Sequence, residues 1–280
     1  MDSLILPSAP GPIAVFDSGY GGLTILTHLI EALPQYDYIY LGDNARAPYG
    51  TRSYDIVYQY TLEAVEQLFK MGAHLVILAC NTASAKALRT IQQNDLPRLD
   101  PKRRVLGVIR PSVEVVSSFS ESKHIGVLAT PGTIQSDSYL LEIAKVAPEC
   151  VVVQEACPMW VPLVENGEFN SDGADFFVEK HLSNLFAFDS EIDTIVLGCT
   201  HYPLLMPKIA KFLPAGVKVL SQGDIVAESL INYLARHSEV DIKCSKTGKV
   251  VFYTTENPLK FEQTASLFFP GAIQVEHLSY

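Results

Sequence analysis

From Leu75 to Ala79 every side chain is apolar, with none of the polar alternation of a strand that shows one face to water. A strand so composed must be covered on both sides, which is the environment of a parallel sheet flanked by helices. Similar short runs recur at Ile13–Asp17, Tyr38–Leu41, Arg104–Val108, Ile125–Ala129, Val151–Gln154, Thr194–Gly198, Val217–Leu220 and Val250–Thr254. Segments of helical period lie between most of them. Leu23, Leu26, Leu29, Ile30 and Leu33 recur at helical spacing, and Tyr54 to Met71 reads as an amphipathic helix ending at Gly72. The missing Cβ suits Gly72 to a left-handed cap. The alternation predicts an α/β fold built on mostly parallel sheets. At 280 residues, 48% hydrophobic and 19% charged, the chain is large enough for one big domain or two moderate ones and too apolar for disorder.

Lys and Arg total 21 against 31 Asp and Glu, a net charge of −10 that repels phosphate backbones and anionic lipid. No nucleic-acid partner is expected. No apolar run approaches the roughly 20 residues that span a bilayer, so no membrane association is expected either. Asp2 stands where a signal peptide would be basic, and Leu4–Ile5–Leu6 is too short for its apolar segment, so the expected location is the cytoplasm. Cys80, Cys150, Cys157, Cys199 and Cys244 form an odd set at irregular spacing without a C-x-x-C pair. Reduced thiols fit this pattern better than a disulfide framework or a metal site.

The two halves of the chain echo one another. Ile13-Ala-Val-Phe-Asp-Ser-Gly resembles Ile125-Gly-Val-Leu-Ala-Thr-Pro at an offset of 112 residues, and Val76-Ile-Leu-Ala-Cys-Asn-Thr resembles Ile195-Val-Leu-Gly-Cys-Thr-His at 119. Nearly equal offsets are what a duplicated unit with drifting loop lengths leaves behind. Ligands of open α/β sheets bind beyond the carboxyl ends of the strands, where each echoed turn would sit. Two facing units could then share one cleft.

A lone Cys at a strand end is ordinarily a small buried hydrophobe. Cys80 and Cys199 occupy matched positions in the echo, each followed by small hydrogen-bonding residues, and the pairing points to chemistry. Helix amides beyond the strand would lower such a thiol's pKa from about 8.5. The turn Asp17-Ser18-Gly-Tyr-Gly-Gly22 gathers backbone N–H groups and reads either as a capped tight turn or as an anion site beside a carboxylate. It lacks the Gly-Lys-Ser/Thr of a phosphate loop, and Thr24 replaces the third glycine of G-x-G-x-x-G, so a nucleotide is disfavoured. Asp43 with Pro48, Tyr49 and Gly50 forms a second loop, equally open to a structural or a binding reading. Glu165 lies in an apolar stretch with the single Trp, surroundings that would raise a carboxyl pKa. His201 alone among seven histidines adjoins a candidate nucleophile.

Phe16-Asp-Ser-Gly-Tyr-Gly-Gly-Leu-Thr24, Gly42-Asp43 with Pro48-Tyr-Gly50, Ala79-Cys-Asn-Thr-Ala-Ser84 and Gly198-Cys-Thr-His-Tyr-Pro203 together resemble the signatures of the glutamate racemases, in that family's order. The resemblance implies cofactor-independent interconversion of L- and D-glutamate, with the D-enantiomer supplying peptidoglycan. It implies two pseudo-symmetric domains, residues 1–110 with 221–280 and residues 111–220, and an active site in the cleft between them. Carried over residue by residue, Cys80 and Cys199 would be the acid/base thiols, Asp17 would serve Cys80, and His201 with Glu165 would serve Cys199. Asp17, Ser18, Asp43, Pro48, Tyr49, Gly50, Asn81, Thr82, Thr133, Thr200 and His201 would line the substrate site. A small-molecule partner, glutamate, follows, with a homodimer as the family expectation. Tyr20 and the polar extension Asp95–Arg103 depart from the common pattern. Rival enzyme readings are an aspartate racemase or a decarboxylase using one Cys, from which the pair Cys80 and Cys199 with His201 alongside distinguishes a glutamate racemase; a non-enzymatic small-ligand sensor or protein-binding module would bind without exchanging the α-hydrogen into solvent.

Overall fold

The computed structural model describes residues 8–280, so the Asp2 to Leu6 segment behind the signal-peptide argument lies outside the described residues. The chain runs β1 (Ile13–Asp17), α1 (Gly22–Ala32), β2 (Tyr38–Gly42), α2 (Tyr54–Lys70), β3 (Leu75–Leu78) and α3 (Asn81–Lys86). Two short helices, α4 (Leu88–Thr90) and α5 (Leu96–Leu99), flank a π-helical turn before β4 (Arg104–Gly107) and α6 (Ile109–Phe119). There follow β5 (His124–Ala129), α7 (Pro131–Gln135), α8 (Ser138–Val146), β6 (Val151–Ala156), α9 (Trp160–Glu165), α10 (Asp172–Phe188) and β7 (Thr194–Gly198). The last stretch is α11 (Met206–Phe212), β8 (Lys218–Leu220), α12 (Gln222–Arg236), α13 (Ser238–Asp241), β9 (Val250–Thr254), α14 (Pro258–Ala265) and β10 (Val275–His277).

Among the described residues, every strand pairing is parallel. One sheet has the order β10-β9-β2-β1-β3-β4 and the other β6-β5-β7-β8. The order β2-β1-β3-β4 in the first is repeated as β6-β5-β7-β8 in the second, so the echoed sequences occupy equivalent strands: β1 matches β5, and β3 matches β7. β1, β2, β3 and β7 are buried at every position, as their unbroken apolar runs require. The chain passes between the sheets twice, through α6 after β4 and through α12 after β8.

Local signals explain most element boundaries. Ser53 caps α2 by accepting the Ile56 N–H, and Gly72 after its end adopts φ +101°, the left-handed conformation expected there. The polar extension before β4 has a structural use. Arg103 is buried and its guanidinium donates to the carbonyls of Phe69 and Ala73 at the end of α2, besides an ion pair with Asp100. β10 has no counterpart in the strand pattern read from the sequence; it is three residues long with two of them exposed, too short to show a period.

Candidate active site

The turns after β1, β3 and β7 meet at the carboxyl ends of the two sheets. Asp17 closes β1, Cys80 follows β3 by two residues and caps α3, and Cys199 follows β7 directly. Ser18 Oγ lies 3.4 Å from Cys80 Sγ, which also accepts the Ala83 N–H at 3.4 Å. On the other side, Cys199 Sγ is 3.8 Å from His201 Nδ1, and His201 Nε2 is 2.8 Å from Glu165 Oε1 at the end of α9. Both thiols, Asp17 and His201 are buried, whereas the Glu165 side chain keeps 30% of its surface. Glu165 is thus a partly wet carboxylate paired with a buried imidazole, a different setting from the apolar one its sequence neighbours suggested.

Electrostatics make the two half-sites unlike. Burial raises the Cys80 pKa to about 12, and the Asp17 charge adds to it, outweighing the Ser18 hydroxyl and the Ala83 amide. The expectation that helix amides would depress this thiol is therefore overturned: one weak N–H contact from a helix of six residues does not offset full desolvation. Burial also raises Asp17, against the opposing pull of His201 and of the Gly19 and Gly22 amides. Those amides show what the Gly-rich turn gathers. Gly19 donates to Asp17 Oδ2 at 2.9 Å, so one amide of the turn is engaged by the turn's own aspartate. For His201, burial pulls the imidazole pKa down, but the hydrogen bonds to Cys199 and Glu165 prevail and lift it to about 10. At neutral pH the site presents a neutral Cys80 thiol on one side and an imidazolium beside Cys199 on the other.

The remaining candidates divide by what they touch. Thr82, Thr130 and Thr133 form a buried triangle of hydroxyls, 3.0 to 3.3 Å apart. The Tyr49–Gly50 loop docks on the same turn, where Gly132 donates to the Gly50 carbonyl at 2.7 Å. Pro48 precedes it with a cis Ala47–Pro48 bond. The Thr200 carbonyl accepts the Thr24 hydroxyl at 3.2 Å across the cleft. Asp43 stands apart: buried, it is held by Arg46 Nε at 2.7 Å, the Tyr49 hydroxyl at 2.5 Å and the Thr255 hydroxyl at 2.8 Å. Its oxygens secure the Tyr49 loop. Asn81 turns its amide to Gln222 and Tyr139.

Three contributors escape a reading of the sequence by motif. Thr130 could have been found, since the echo aligns it with Ser18. Gln222 and Tyr139 carry no local signal and reach Asn81 only through folding. The same holds for the aromatic wall behind His201, where Phe268 stands edge-on at 5.1 Å and Tyr20 stacks on Phe268 at 6.0 Å and on Phe261 at 5.1 Å. That packing accounts for the large residue at position 20.

A family model described as Asp/Glu/Hydantoin racemase matches residues 23–230. The glutamate racemase of Streptococcus mutans is 39% identical over 272 residues, 96% of this chain and 98% of its own. The chain belongs to the glutamate racemase family. It is accordingly an amino-acid isomerase. The Geobacter metallireducens glutamate racemase is 38% identical over 262 residues, 93% of each chain. The crystal structure of Francisella tularensis glutamate racemase in complex with D-glutamate superposes with a TM-score of 0.86 at 34% identity, covering 96% of this chain and 98% of that one. An isoform from Bacillus anthracis gives 0.87, also at 34% identity, over 96% and 97%. An aspartate racemase from Picrophilus torridus shares the fold alone, with a TM-score of 0.52 at 14% identity. Among the described residues, no helix is long and apolar enough to cross a membrane.

Proposed function

We propose that the enzyme interconverts L- and D-glutamate by a two-thiol mechanism that needs no cofactor, in a cleft between two domains, residues 1–110 with 221–280 and residues 111–220. The observation that carries this reading is the pair of buried cysteines at equivalent strand ends, one from each sheet, each with its own proton-handling neighbours. Inverting a stereocentre requires one group to remove the α-proton and a second, on the other face, to deliver one. Cys80, neutral at pH 7, is the donor in the resting form. Cys199, whose proton His201 takes up, is the base that abstracts. One turnover leaves Cys80 as thiolate and Cys199 as thiol, so the reverse reaction uses the same atoms with the roles exchanged. Glu165 holds His201, and Asp17 manages the proton of Cys80.

The intermediate carbanion is stabilised by a dry site and by hydrogen bonds from Ser18, Asn81, Thr82, Thr133, Thr200 and the Tyr49–Gly50 amides. A relative crystallised with D-glutamate supports the substrate assignment. The D-glutamate produced would serve peptidoglycan synthesis in the cytoplasm. The test is circular dichroism of L-glutamate with the pure enzyme and no added cofactor, run in parallel in deuterated water. Racemisation should be accompanied by deuterium at Cα of the product. Cys80→Ala and Cys199→Ala should each lose about a thousandfold or more, because each deletes an obligatory proton carrier. Substantial racemisation by either variant sinks the two-thiol mechanism.

A further inference from the structure

Gln222 is the first residue of α12, the second of the two chain passages between the sheets. Its side chain is 3% exposed and engaged on every side. Its Oε1 accepts from Asn81 Nδ2 at 2.6 Å, and the two protons of its Nε2 are shared among the Val108 carbonyl at 3.1 Å, Ser112 Oγ at 3.0 Å and the Tyr139 hydroxyl oxygen at 3.0 Å. Val108 and Ser112 belong to the start of the first passage, at α6, and Tyr139 to α8 against the second sheet. Tyr139 in turn donates to Asn81 Oδ1 at 2.8 Å. One glutamine therefore ties the two inter-sheet passages to each other and ties both to the residue that follows Cys80.

A buried amide with these partners has one favourable orientation, because turning it would set its Nε2 against Asn81 Nδ2 and its Oε1 against the Val108 carbonyl, donor on donor and acceptor on acceptor. Asn81 inherits that constraint. With Nδ2 directed to Gln222 Oε1 and Oδ1 to Tyr139, its side chain is locked in one rotamer at the first residue of α3, beside the thiol. A change in the angle between the two passages therefore bears on Gln222 and, through it, on Asn81.

We propose that Gln222 is a positioning residue for racemisation: it couples the two passages between the sheets to Asn81, and so sets the substrate-binding geometry beside Cys80. This rests on the reading of the cleft as a glutamate site. The decisive experiment is a double-mutant cycle of Gln222→Met and Asn81→Ala, with kcat, KM and thermal midpoint measured for all four proteins. Gln222→Met keeps the length of the side chain and removes its hydrogen bonds, and misplacement of Asn81 should lower kcat/KM by up to about a hundredfold. In the Asn81→Ala background the same change should cost no more than about twofold, the scatter of such cycles, because the residue it acts through is already gone. Full additivity overturns the proposal by showing that Gln222 acts independently of Asn81. If Gln222→Met does not fold, Ser112→Ala, which cuts one strand of the tie from the α6 side, takes its place in the cycle with the same expectation. A second measurement needs no substrate. In a Cys199→Ala background, Gln222→Met should speed alkylation of Cys80 by iodoacetamide, and an unchanged rate contradicts the coupling. A wild-type protein that leaves glutamate untouched but shows this change in alkylation would instead overturn the assigned substrate and leave the coupling standing.

Discussion

Asp17 and His201 are both buried and ionisable, yet folding treats them in opposite ways. Asp17 has its pKa raised by burial, so the fold disfavours its charged form and is the less stable for carrying it at neutral pH. Asp17→Asn should therefore unfold at a temperature no lower than the wild type at pH 7.5, while kcat falls about tenfold to ten-thousandfold with the loss of a proton-handling group. A kcat left intact would remove Asp17 from the mechanism. His201 has a folded-state value of about 10 against an ordinary 6.5. A group raised in this way contributes stability that is complete below pH 6.5 and disappears as the pH climbs through 10. The difference in thermal midpoint between wild type and His201→Asn should accordingly shrink from pH 6.5 to pH 10. A difference constant over that range means that no imidazolium is held in the folded protein.

At the scale of elements, the cleft depends on how closely one turn can approach another. A Cβ on Gly21 would collide with Thr200 Oγ1 and His201 Nδ1, so the β1–α1 turn reaches the Cys199 half only because that residue has no side chain. Gly21→Ala should push the two turns apart and lower kcat/KM by about a hundredfold, the usual cost of displacing reacting groups by an ångström. Wild-type kinetics in that variant would show that the contact is dispensable. Gly72 plays a different part. A Cβ there would meet nothing, but its φ of +101° is costly for any other residue. Gly72→Ala should lose about 1–2 kcal/mol in urea denaturation with unchanged kinetics, because the α2 cap is remote from the thiols.

For the whole molecule, the largest apolar cluster runs through both sheets. It joins Ile13, Val15 and Leu75 of the first to Ile195 and Leu197 of the second by way of α1 and α12, with Leu26, Leu29, Val226 and Leu230 between them. Smaller clusters lie on the outer side of each sheet. A core shared in this way makes the sheets interdependent, and a single unfolding transition is expected. Trp160, fully buried in the shared cluster and edge-on to Tyr202 at 4.7 Å, reports on its own surroundings between α9 and α10, whereas far-ultraviolet circular dichroism reports on both sheets. The two signals should coincide on heating. Two separated midpoints would show that the shared cluster does not bind the halves into one cooperative unit.

The class of fold and the location of the chemistry were legible in the amino-acid sequence because both rest on local patterns. Unbroken apolar runs demand covered parallel strands, glycine at position 72 demands a left-handed cap, and two Cys in matched contexts announce equivalent strand ends. The echo also sets Thr82 against His201, the asymmetry between the two half-sites, and aligns Thr130 with Ser18, a match that motif reading passed over. What only tertiary structure decided concerns groups distant in sequence and the dielectric around them. Whether a helix amide or desolvation governs Cys80 depends on how much protein surrounds the sulfur, which no spacing records. The Gly19 amide of the Gly-rich turn serves Asp17 because the carboxylate folds back onto it. Asp43 belongs to the Tyr49 loop because Arg46 and Thr255 converge on it, the latter from the end of β9. Gln222 meets Asn81 across 141 residues of chain, an encounter set by the crossing of α12 over α6 and by nothing in either residue's neighbourhood.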